Sequence, residues 1–149
     1  MNVARVKLIL ATALEADLIA EPPLLNALGR ELLFAGRTTE AIARFDQIER
    51  MMKERKVDPR SRPAVELRMQ QAIAHLRRAE EENCILHHNP QSCLFPIEGT
   101  GVHLERRGAI AAAAILKSLF DDDPANLQAR WLLNIAHMTL GNYPAGVPP

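Results

Sequence analysis

The chain has few aromatic residues, no excess of either charge and no long apolar run. Aromatic side chains make up 4% of the 149 residues, which argues against a β-rich fold and against a base-stacking surface for nucleic acid. The 18 basic and 18 acidic side chains cancel, so the electrostatic footprint of a nucleic-acid-binding protein is missing. We therefore expect no nucleic-acid partner.

The apolar segments are too short for a membrane span. The longest one near the N-terminus, 6–14, is interrupted by Lys7, whereas about 20 apolar residues are needed to cross a bilayer. Acidic residues follow it at Glu15 and Asp17, where a signal peptide would carry small residues. We interpret residues 3–19 as an amphipathic helix, and we expect no membrane insertion and no clear signal peptide.

Residue patterns that would support catalysis are also missing. No nucleophile, base and orienting group fall into a pattern for hydrolysis, and no Gly-rich loop for phosphate is present. The sequence therefore predicts a protein that is not an enzyme.

What the sequence does contain is helical patterning, divided by proline and glycine. No segment alternates apolar and polar residues for long enough to make a convincing strand. The expected helices cover residues 3–19, 22–35, 40–56, 63–82, 104–120 and 124–141. We predict an all-α fold of about six helices in a single domain, 1–149, with one long inserted loop at 83–103 and a Pro-rich tail or linker at 142–149.

The second and third expected helices, residues 22–55, resemble a tetratricopeptide repeat. Gly29 and Ala41 stand where the paired helices of such a repeat cross closely, and larger apolar side chains fill the gaps between crossings. The predicted packing residues are Leu25, Leu28, Gly29, Leu32, Ala41 and Phe45. The repeat's first aromatic residue is replaced by Leu25. This resemblance implies a short solenoid of helical pairs that binds a peptide or another domain.

The later helices match the repeat less closely. The helices on either side of the loop form a second pair in this interpretation, and Trp131, Gly141 and Tyr143 mark the first helix of a third. A partner for that last helix is missing from the chain, whereas a solenoid normally ends in a polar capping helix. We expect this uncapped end to pack on a larger partner domain or chain, or to self-associate.

The loop holds both cysteines of the chain, Cys84 and Cys93, and three interpretations of them remain open. A disulfide is geometrically easy and would stabilise the loop by about 2–3 kcal/mol in an oxidising compartment. A zinc or copper site would use Cys84, His87, His88, Cys93 and His103, although their spacing matches no standard zinc pattern. The third interpretation is two buried free thiols.

A second resemblance covers about residues 80–149. The segments Glu82-Asn83-Cys84, Ser92-Cys93, Phe95-Pro96-Ile97, Gly101-Val102-His103 and 129–141 resemble the helical N-terminal region of FG-GAP/UnbV-type proteins, which are exported bacterial proteins related to cartilage acidic proteins. The β-propeller that follows this region in the family is absent here, so none of its calcium ligands can be transferred. The resemblance implies a periplasmic or extracellular location, which favours the disulfide, and a role beside a larger partner domain.

Two functions follow from these patterns. The favoured one is a non-catalytic helical repeat module for protein–protein interaction or scaffolding, with no cofactor and with the cysteine loop as a structural staple. The alternative is a metal-binding or redox accessory domain that uses zinc or copper at the Cys/His loop.

Overall fold

The computed structural model describes the backbone of residues 2–15, 21–85 and 89–148, and their side chains except at 2, 10, 12–15 and 93. The described residues form six α-helices and no β-strand. The helices are α1 (Asn2–Glu15), α2 (Pro22–Phe34), α3 (Thr38–Glu54), α4 (Arg62–Glu80), α5 (Arg107–Asp122) and α6 (Leu127–Leu140). The prediction of an all-α fold with about six helices is confirmed. Among these residues, no helix combines the length and the hydropathy that a membrane span requires.

Contacts divide the chain into two compact units, Met1–Ala74 and His75–Pro149, with the boundary inside α4. Each unit has buried apolar residues of its own. The units are described separately below, and the single domain over 1–149 stays a prediction.

The first unit is built around the contact between α2 and α3. Phe45 of α3 is fully buried, and it lies against Gly29 of α2, where an added Cβ would be only 2.6 Å from the ring carbon Cε1. Ala41 is also fully buried in this cluster. Because neither Gly29 nor Ala41 has a bulky side chain, the two helices can approach closely, and all six residues of the proposed repeat packing are buried.

The turn between α2 and α3 is set by backbone geometry and one ion pair. Gly36 has a φ of +74°, in the left-handed region that favours glycine. Arg37 then pairs with Glu40 at 2.7 Å, and the carbonyl of Arg37 accepts the first helical hydrogen bond from Ala41. The helix therefore begins at Thr38, earlier than the expected residue 40, and no side chain caps it.

A buried amide joins α3 to α4 within the first unit. Nε2 of Gln71 donates to Oδ1 of Asp46 at 3.1 Å and to Oε2 of Glu49 at 3.2 Å. Lys53, and then this amide, lower the pKa of the Glu49 carboxyl, because both stabilise the charged form. Gln71 is buried, and a buried polar side chain without a hydrogen-bond partner would destabilise the fold. These two contacts supply the partner.

The second unit is built around α5 and α6, which meet through small residues. Ala109 and Ala112 of α5 and Ala129 and Ala136 of α6 are fully buried. The start of α5 also lies against the last turns of α4, since a Cβ on Gly108 would be 2.7 Å from the carbonyl oxygen of His75. Alanine and glycine at these positions allow the close helix contacts.

A capping residue marks each end of α6. Oδ1 of Asn126 accepts a hydrogen bond from the amide of Ala129 at 3.0 Å, which caps the N-terminus. Gly141, with a φ of +75°, ends the helix. The helix therefore begins at Leu127 rather than at the expected residue 124, because Asn126 and not the preceding Asp-Pro pair supplies the cap.

Candidate functional site

The loop between α4 and α5 begins with a π-helical turn, Glu81–Ile85. Asn83 lies in this turn with 5% of its surface exposed, and its Nδ2 donates to the carbonyl of Ala79 at 2.9 Å. That side-chain bond competes for the carbonyl an α-helix would use at this point. The α-helical part of α4 therefore ends at Glu80, and the wider turn that follows is of a kind often found at functional sites.

Asn83 also closes the loop. Its Nδ2 donates to the carbonyl of Glu105, and its Oδ1 accepts from the amide of Glu105, both at 2.9 Å. These two bonds span 22 positions of the chain and occupy both backbone groups of Glu105. For this reason the segment before Arg107 is not helical, and α5 begins later than the expected residue 104. The sequence analysis did not predict this role of Asn83. The available signal was its position, because Asn83 is a polar residue at the point where the helical pattern ends.

The two arms of the loop are joined by a second set of polar contacts. Oε1 of Gln91 accepts from the amide and the hydroxyl of Thr100, at 3.1 and 2.6 Å. Gly101 fits here because a Cβ would lie 2.5 Å from the backbone oxygen of Gln91. The loop is thus an ordered structure with its own hydrogen bonds.

At the base of the loop, Cys84 meets His103. Sγ of Cys84 lies 3.8 Å from Nε2 of His103, across 19 positions of the chain. The backbone amide of His103 donates to the carbonyl of Thr139 on α6 at 2.9 Å, which holds the residue in place. The side chain is buried, with 4% exposed, and Nδ1 has no hydrogen-bond partner among the described atoms.

Burial lowers the pKa of the His103 imidazole below its ordinary value, and the negative charge of Glu80 opposes this shift. The imidazole is therefore neutral near pH 7. A neutral imidazole has one acceptor nitrogen, which can accept a hydrogen bond from a thiol.

Of the five residues in the predicted metal site, the structure describes two side chains, those of Cys84 and His103, and brings them together. His87 and His88 lie outside the described residues, and so does the side chain of Cys93, whose backbone lies in a 3₁₀ turn, Pro90–Cys93. The Cys84–Cys93 disulfide and the full metal site therefore stay predictions. Within the described part of the chain, no three His, Cys, Asp or Glu side chains come together as a metal site.

An open depression of about 890 Å³ adjoins His103. Its lining includes Thr100, Arg106 and Asn142, so it is polar as well as apolar. Nε of Arg106 donates to the backbone carbonyl of His103 at 3.3 Å.

A second feature of this unit is a groove along the outer side of α6, which we call the α6 groove. It has a volume of about 340 Å³ and is lined by Phe95, Trp131, Asn134, Ile135, Met138 and Tyr143. The three aromatic side chains are unusually exposed, at 65% for Phe95, 61% for Trp131 and 43% for Tyr143. None of the lining residues carries a charge. Sequence reasoning singled out Trp131 and Tyr143 as repeat markers but did not predict that they are exposed.

No protein family, no curated protein and no solved structure matches this chain. The resemblances to a tetratricopeptide repeat and to the FG-GAP/UnbV-type region thus rest on the residues quoted for them, and both stay predictions.

Proposed function

We propose that this protein is a non-catalytic helical module that binds the apolar face of an amphipathic helix in a partner protein through the α6 groove. The observation that carries the proposal is the exposed aromatic lining of this groove. Contiguous exposed apolar surface of this kind marks interaction sites, and Trp and Tyr are enriched among the residues that dominate binding energy.

The spacing on α6 favours a helical partner. Trp131, Ile135 and Met138 follow one another at the i, i+4, i+7 spacing of a single helix face. Such a row packs against the corresponding row of a second helix, and Phe95 and Tyr143 add apolar side chains to the groove. Because the groove is uncharged, the face that it binds should be uncharged as well.

The wider context of the module is part of the same proposal. The resemblance of residues 80–149 to the FG-GAP/UnbV-type region supports an exported protein that lies beside a larger domain. The small residues at the α2–α3 contact, Gly29 and Ala41, support a tetratricopeptide-like unit in the first half of the chain.

Trp131 is the single tryptophan of the chain, so its fluorescence reports on the α6 groove directly. The probes are three peptides: an amphipathic helix with an aliphatic stripe, the same composition scrambled, and a proline-rich peptide. We expect the amphipathic helix alone to shift the emission to shorter wavelength, because it would remove Trp131 from water.

The matched variants are Ile135→Ser, in the groove, and Ile110→Ser, at an exposed position of α5 outside it. The first should weaken binding about tenfold, or about 1.4 kcal/mol, and the second should leave it unchanged. A shift with the proline-rich peptide alone would reject the helical partner. A shift that grows with protein concentration without peptide would identify a second copy as the occupant.

A further inference from the structure

We propose that Asn134 determines which helix the α6 groove accepts, and that the partner helix carries an amide side chain, Asn or Gln, in the middle of its apolar stripe. This partner chemistry rests on the proposed binding of an amphipathic helix at the groove. It adds the one polar feature that the partner must present there.

The position of Asn134 on α6 is the first argument. Leu127, Trp131, Asn134 and Met138 follow one another at the i, i+4, i+7, i+11 spacing of a seam that packs along a second helix. Leu127 and Trp131 are exposed, at 73% and 61%, and Asn134 and Met138 line the groove. Asn134 is thus a polar residue within a row that is otherwise apolar.

The second argument is that Asn134 has no part in the core of its unit. Ala129, Leu133 and Ala136 are the residues of α6 that are fully buried against the rest of the unit. Asn134 is only half-buried and lies on the face that a partner would cover.

The third argument is that the amide is available for binding. Within the part of the chain that the structure describes, Asn134 forms no hydrogen bond with another residue. Because the residue is half-buried in an open groove, water reaches its amide in the free protein. The amide offers one acceptor oxygen and two N–H donors.

A helix that covers the groove displaces this water. A buried donor or acceptor that is left without a partner lowers affinity, whereas a matched hydrogen bond is close to neutral or favourable. An amide on the partner supplies both a donor and an acceptor. A charged side chain would fit less well, because the lining residues carry no charge to compensate for its burial.

The same contact fixes the register of the complex. A single Asn in an apolar seam specifies how two helices align, because any shift places its amide against an apolar residue. A partner with a uniformly aliphatic stripe has no such preference among registers.

The test uses the full chain and two helical peptides of identical composition. Each peptide has one Asn in an aliphatic stripe, in the middle of the stripe in one and at its C-terminal end in the other. Fluorescence of Trp131 follows both titrations. We expect the chain to bind the peptide with the central Asn about tenfold more tightly, because only that peptide pairs the amide of Asn134 while it covers the whole groove.

The matched variants are Asn134→Leu and Asn134→Gln. The first removes the amide, so the preference for the central Asn should disappear or reverse. The second keeps an amide and should keep the preference. Circular dichroism checks that each variant is folded, and Asn134→Ala replaces Asn134→Leu if the leucine variant unfolds.

Equal affinity of the unchanged protein for the two peptides would overturn the role of Asn134, and so would the same preference in Asn134→Leu. Loss of the preference in Asn134→Gln would do so as well, because side-chain shape rather than the amide would then determine specificity. These results leave the groove as a helix-binding site, and so does binding of a fully aliphatic peptide alone. If none of the three peptides bound, the proposed function would be rejected together with this inference.

Discussion

Single small residues determine the core of the first unit. Gly29 leaves room for the ring of Phe45, and Ala41 is fully buried beside it. The repeat-like spacing of this segment predicts small residues at both positions. They were identifiable because a close crossing of two helices tolerates only small side chains, and that requirement leaves a local mark on the sequence.

Replacing Ala41 by Leu should lower the free energy of unfolding by about 1–3 kcal/mol, because the added side chain overpacks a filled contact. Ala43, in the same helix but exposed, provides the control, and Ala43→Leu should change stability by no more than about 0.5 kcal/mol. Urea unfolding of both variants measures the difference. Equal stability of the two would show that the assigned repeat register is wrong.

Cys84 and His103 show the limit of residue-level prediction. Sequence reasoning placed both among five candidate ligands, since the residue types suit zinc or copper. Cys84 and His103 come together because the two ends of the loop are joined by the hydrogen bonds between Asn83 and Glu105. A bond between residues so far apart in the chain has no local signature.

At the scale of elements, the existence of the helices followed from the sequence better than their ends did. Apolar periodicity and Pro or Gly punctuation identified all six. Three helix ends differ from the prediction where a side chain bonds to the backbone: Asn83 acts at the end of α4 and before α5, and Asn126 at the start of α6. Asparagine has this effect because its short amide reaches nearby backbone groups.

The cap on α6 can be tested directly. Asn126→Ala should destabilise the protein by about 0.5–2 kcal/mol, because the amide of Ala129 loses its acceptor. Asn126→Ser keeps a cap and should retain most of the stability. Thermal or urea unfolding separates the two variants. If serine and alanine were equally destabilising, the contribution of the cap would be rejected.

At the scale of the whole molecule, stability should depend on pH through His103. Its pKa is lowered by burial, so between its folded pKa and the unfolded value of about 6.5 the unfolded chain binds more protons than the folded one. The free energy of unfolding therefore falls as pH decreases below about 6.5, and this group has no effect above that pH.

Urea unfolding of the protein between about pH 7.5 and pH 5 measures this dependence. His103→Gln should give a flatter profile in that range. A parent profile with no decrease below about pH 6.5 would mean that His103 is protonated as easily in the folded chain as in the unfolded one.

The sequence alone determined the all-α class, the approximate helices and the small residues of the α2–α3 contact, because each depends on residues near one another in the chain. Tertiary structure alone decided that Trp131 is exposed while Leu133, in the same helix, is buried. It also decided that Cys84 meets His103. Burial and long-range pairing depend on which surfaces the folded chain brings together, and periodicity within one segment contains no information about the other side of a contact.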